Sequence, residues 1–188
     1  MSGAVLTIII VAAVIALAAL LAVALIPRLR SRRLRDRFGP EYDRTVQHAQ
    51  NRRVAERELT EREKRHEQLQ LRDLSEDEKR RYTMQWAQVQ EQFIDDPVAA
   101  LTNADHLVTA VMTDRGYPAE DYNRQLETLS VEHAQPLEQY RIAHDITGRA
   151  GQGQVTTEDM RTAIVHYRAL FEDLMNGHRA ESTTRHNQ

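Results

Sequence analysis

The 188-residue chain has no cysteine. That absence excludes disulfides, thiol nucleophiles and thiolate metal sites, and it is compatible with a reducing compartment. Lysine is almost missing too, with 2 against 23 arginines, a bias that points to a GC-rich bacterial genome rather than to a function. No stretch alternates apolar and polar residues convincingly as a strand would. The common chemical motifs are also lacking. Gly148, Gly151 and Gly153 have neither the lysine nor the preceding strand of a phosphate loop. There is no HExxH, and Asp95-Asp96 lacks the spaced oxygens and the glutamate of a calcium loop. No basic run is interleaved with aromatics, so nucleic acid is not an expected partner.

One feature outweighs these absences. Ala4 to Ile26 contains no charged side chain. At about 1.5 Å per helical residue the run reaches roughly 35 Å, enough to cross a ~30 Å hydrocarbon core with some tilt. Arg28, Arg30, Arg32, Arg33, Arg35 and Arg37 follow at once. Basic residues beside a span stay cytoplasmic, so the sequence predicts a single-pass plasma-membrane protein with its C-terminal part in the cytoplasm. It also places the six arginines against anionic headgroups. The alternative is a cleaved signal with Ala22-Val23-Ala24 as the cleavage site, which would make the chain secreted. Against it stand the missing basic n-region and the length of the apolar run.

Charge and apolarity then divide the rest. Residues 28–81 carry 17 basic and 12 acidic side chains, and residues 82–188 carry 8 and 16. Large apolar residues are sparse before Arg81 and dense from Tyr82 to Met175. The reading is all-α: an N-terminal tip at 1–3, a transmembrane helix at 4–26, and a basic juxtamembrane segment at 27–39. A charged stalk helix follows at 40–74, then a bundle of four or five helices at 75–176 and a disordered tail at 177–188. Gly39-Pro40 breaks the first helix. The stalk has only a thin apolar stripe, interrupted between Ala49 and Ala55, as in a spacer or partly docked helix, or one strand of a weak coiled coil. Ser75 with Glu78, and Thr156 with Asp159, cap helices of the bundle, and Asp96-Pro97 reads as a cap with a first-turn proline. Trp86 is expected in the core. The segment from Gly148 to Gln154 is expected as a flexible loop.

His106, His133, His144 and His166 lie on or near different helices, with no pair at i,i+3 or i,i+4. A metal site is therefore not expected, and the sequence names no catalytic or cofactor-binding residue. The function that fits is a membrane-anchored helical interaction or scaffold protein, binding another protein or itself. The alternative is a helical-bundle enzyme or a metal- or ligand-binding domain. Tyr42, Tyr117, Tyr122 and the 148–154 loop are the candidate contact points.

Arg37-Phe38-Gly39-Pro40-Glu41-Tyr42-Asp43-Arg44 after an N-terminal span resembles the opening of a family of uncharacterised actinobacterial single-pass membrane proteins. Phe93 to Asp95-Asp96-Pro97, Arg115-Gly116-Tyr117-Pro118 and His166-Tyr167-Arg168-Ala169-Leu170-Phe171 are similar to its later blocks. The resemblance runs from the span to about Met175. It implies the same architecture and supplies no catalytic residues.

Overall fold

A computed structural model describes residues 3–118 and 121–177, with side-chain surroundings from Ile10 onward except 18–24, 26 and 27. The described residues form eight helices and no strand, so the all-α class holds. The chain divides into two units between Leu59 and Thr60.

In the first unit, helix α1 runs from Gly3 to Phe38. Among the described residues no helix is long and apolar enough to cross a membrane. The transmembrane helix expected over 4–26 is not supported by the described residues. Gly39, at φ 46, ends α1, and Pro40 occupies the first turn of α2 (Pro40–His48). A positive φ suits a residue without a Cβ, and proline needs no donor at a helix start. The predicted breaker pair is thus a turn between two helices.

Residues 40–74, expected as one charged helix, are not one. α2 stops at His48. Asn51 caps α3 (Arg52–Glu67), its side chain accepting from the Val54 amide at 3.0 Å. The gap in the apolar stripe marks this turn. The segment's apolar stripe is docked rather than solvated, since Tyr42, Ala55 and Leu59 are buried. Beyond Glu67 the chain is irregular as far as Ser75.

The second unit holds α4 (Glu76–Asp95), α5 (Pro97–Asp114), α6 (Tyr122–Leu129), α7 (Ala134–Ala150) and α8 (Thr157–Asn176). Both capping boxes form: Ser75 with Glu78, and Thr156 with Asp159. Asp96 caps α5 by accepting from the Ala99 amide. The pairs α4–α5 and α7–α8 join through contact of α5 with α8, and α6 lies on α7. Trp86 and Phe171 stack at 4.9 Å in a core that includes Leu101, Leu137 and Leu170. One boundary differs from expectation: α7 continues through Gly148 and Arg149 to Ala150, so the turn shortens to the residues after it. The expected disordered tail begins at Gly177, the last described residue before 178–188, which lie outside the description.

Gly116 closes a tight crossing. Its φ is +93, and a Cβ there would lie 2.6 Å from the Gln70 carbonyl oxygen. Beside it, Arg115 is buried, donating to the Leu174 carbonyl at 3.1 Å, while its own carbonyl accepts from the Arg72 amide at 3.0 Å.

Candidate site: an arginine cleft between α1 and α3

The six arginines predicted at the membrane surface are all exposed. At 3.6 residues per turn they fall into two stripes. Arg28, Arg32 and Arg35 share one face, and Arg30, Arg33 and Arg37 lie about half a turn away. Between the two stripes, on one side of the helix, run the buried residues Ser31, Leu34 and Phe38.

The first stripe lines a cleft. Arg28, Ser31, Arg32, Arg35 and Asp36 of α1, with Arg52 of α3, line a cavity of about 280 Å³. Arg52 is the member that sequence reasoning missed. Its only local signal was the position just after the Asn51 cap; what brings it to α1 is Glu56.

Glu56 is the hub. Its Oε1 accepts from Ser31 Oγ at 2.5 Å, Tyr42 Oη at 2.9 Å and Arg52 Nε at 2.8 Å. Arg52 Nε also donates to Tyr42 Oη at 3.0 Å. Burial pushes the Glu56 carboxyl up, but the hydrogen bonds from Ser31, Arg52 and Tyr42 outweigh it and hold the pKa below its ordinary value. The same Glu56 bond, with the Tyr42 contact, raises Arg52. A carboxylate with three donors stays ionised. Around it, Arg35 pairs with Asp43 at 3.3 Å and lies 5.0 Å over the Tyr42 ring, a cation–π contact. Tyr42, expected as a contact point, is therefore a buried strut.

The histidines of the second unit go to separate places. His133 bonds Tyr117 Oη at 2.9 Å through Nε2 and Asp173 at 2.5 Å through Nδ1. Tyr117 also donates to Glu132 at 3.0 Å and is buried, which removes it as a contact point. His144 lies 3.2 Å from Asp105 and stacks on Tyr122 at 4.2 Å, while Tyr167 Oη donates to the same Asp105 oxygen at 3.1 Å. Burial raises the phenols of Tyr117, Tyr140 and Tyr167, so they act as neutral hydrogen-bonding groups. His106 is exposed and lines a cleft of about 360 Å³ between α4 and α5 with Gln85, Gln88, Gln92 and Asn103. His166 is half-buried on α8. Among the described residues no three His, Asp or Glu are grouped to hold a metal.

No protein-family model, curated protein or solved structure matches this chain.

Proposed function

We propose that the chain is a membrane-anchored helical interaction protein, with α1 in the plasma membrane and the five-helix unit in the cytoplasm. The observation that carries this reading is the exposure of an apolar helix on every face. Each residue from Ile10 to Leu17 is exposed, Val14 and Ile15 at 60% and 64%. Eight consecutive helical residues cover more than two turns, so no side of this stretch is packed on the protein. A helix apolar all round belongs in a core or a bilayer. The arginines at its C-terminal end support the bilayer and set the orientation.

The interaction role is supported by the surface of the five-helix unit. The α4–α5 cleft presents amides and an imidazole suited to hydrogen-bonding a polypeptide, and elsewhere on α4 Met84 and Ile94 stand exposed, Ile94 at 82%.

Alkaline carbonate extraction of membranes tests the anchor, with the full chain expected in the pellet. Reporter fusions at the C-terminus test the orientation, and periplasmic phosphatase activity there would reverse it. Cross-linking in membranes followed by pull-down tests the partner; recovery of nothing above background, the chain itself included, would remove the interaction role.

A further inference from the structure

We propose that His133, Tyr117 and Glu132 form a proton-operated latch that fastens the end of α3 to the turn between α6 and α7. Nothing in the latch depends on a membrane or on a partner.

Three short contacts run in a line. Asp173 Oδ2 of α8 lies 2.5 Å from His133 Nδ1, and His133 Nε2 lies 2.9 Å from the Tyr117 hydroxyl. That hydroxyl in turn lies 3.0 Å from Glu132 Oε2. Each contact needs a hydrogen between its two heavy atoms, because facing lone pairs repel at such distances. A neutral histidine brings one hydrogen, the phenol brings one, and two carboxylates bring none. Two hydrogens cannot close three contacts. The line closes when one more proton enters, as an imidazolium at His133 or a carboxylic acid at Glu132. Glu132 has other contacts as well. They leave the count unchanged, since the third hydrogen must lie between its Oε2 and the phenol. Tyr117 and His133 are both buried, where an unmade hydrogen bond is costly.

The same carboxylate seats α3. His66, in the last turn of α3, is buried and has no hydrogen-bond partner at Nε2, which lies 3.6 Å from Glu132 Oε1. One residue earlier, Arg65 pairs with Glu127 of α6 at 2.9 Å. The line is thus faced by His66 from α3, by Asp173 from α8, and by Arg115, whose guanidinium lies 5.7 Å from the centre of the Tyr117 ring. Without the third hydrogen the longest link opens, that between Tyr117 and Glu132. Its opening shifts the carboxylate on which His66 rests. The closed form holds one proton more than the open one, so it weakens as pH rises. Acid closes the latch, and a rise in pH releases the end of α3.

Hydrogen exchange of the full chain in detergent tests this at about pH 6 and about pH 8, on either side of ordinary histidine titration, with correction for intrinsic rates. The reporters are the amides of Leu69, which donates to the His66 carbonyl, and of Arg72, which donates to the Arg115 carbonyl. One linked proton changes an opening equilibrium by at most about ten-fold per pH unit. Protection of the two amides should therefore fall by between about three-fold and about a hundred-fold from the lower pH to the higher. Glu132→Gln sets an amide donor against Tyr117 and supplies the third hydrogen at every pH, so the reporters should stay protected at both. Tyr117→Phe removes the shared oxygen and should leave them poorly protected at both. Circular dichroism confirms that both variants are helical. His106→Gln, on the exposed α4–α5 cleft, should keep the pH dependence of the unaltered chain. Equal protection at the two pH values in the unaltered chain overturns the latch, and so does a pH dependence that survives Glu132→Gln.

Discussion

Glu56 accepts a hydrogen bond from the Ser31 hydroxyl at 2.5 Å, across 25 positions of sequence. The contact fastens α3 to the far end of α1 and turns an apparent stalk into a folded unit. Tyr42 reaches the same oxygen from α2, so all three helices of the unit meet at one carboxylate.

Removing the Tyr42 hydroxyl should loosen that meeting point. Tyr42→Phe keeps the buried ring and deletes the donor to Glu56. Hydrogen bonds to charged groups are worth about 1.5–3 kcal/mol. Hydrogen exchange should show faster opening of α2 amides, such as that of Thr45, and unchanged protection there would contradict the hub.

The hub also gives the first unit an acid limit. The folded pKa of Glu56 lies below its ordinary value of 4.5. Between the two values the folded state binds fewer protons than the unfolded one. The stabilisation is thus fully present above pH 4.5 and is lost as pH falls through the folded value. Exchange of α2 amides measured at descending pH, corrected for intrinsic rates, should show this loss. Glu56→Gln should flatten it.

An alkaline limit applies to the second unit. Tyr82, Tyr117, Tyr140 and Tyr167 all have pKa values raised above 10, burial being the largest cause. Their folded forms keep protons that the unfolded chain releases. Their stabilising contribution is whole below pH 10 and declines as pH rises through the folded values. Phenolate absorbance from these four should appear in step with loss of helical dichroism. Phenolate formation completed in a fully helical chain would contradict the burial.

Trp86 should be the costliest single position in the bundle. Trp86→Ala removes the stack on Phe171 and leaves a cavity, a loss of about 3–5 kcal/mol. Trp86→Phe, which preserves a stacked ring, should cost less in urea unfolding of the full chain.

Gly116→Ala should destabilise by about 2–3 kcal/mol, since it adds strain at a positive φ and a clash with backbone. Thermal unfolding would check it against Gly148→Ala, where nothing lies within 4 Å of a Cβ and the helix should gain slightly.

Three of the stretches singled out in the sequence fall on these same constraints. Arg37 to Arg44 contains the α1–α2 turn and Tyr42. Arg115-Gly116-Tyr117-Pro118 contains the buried arginine and the glycine crossing. His166 to Phe171 contributes Tyr167, Leu170 and Phe171 to the core. Each of these three therefore has a reason in packing or backbone geometry.

Local rules were enough for much of this protein. Helical period, capping boxes and Gly-Pro breakers act over a few residues, and they foretold the all-α class, the starts of α4, α5 and α8, and the burial of Trp86. The apolar run and its arginines were equally plain, because they depend on composition alone. Tertiary structure decided the rest. The identical arginines at 28, 32 and 35 and at 30, 33 and 37 differ only in which side of the buried stripe they flank. Arg52 joins the first set because Glu56 bonds Ser31 and Tyr42. Such contacts cross tens of residues, and no local pattern encodes them. They form only when three helices fold together around a carboxylate that each of them helps to satisfy.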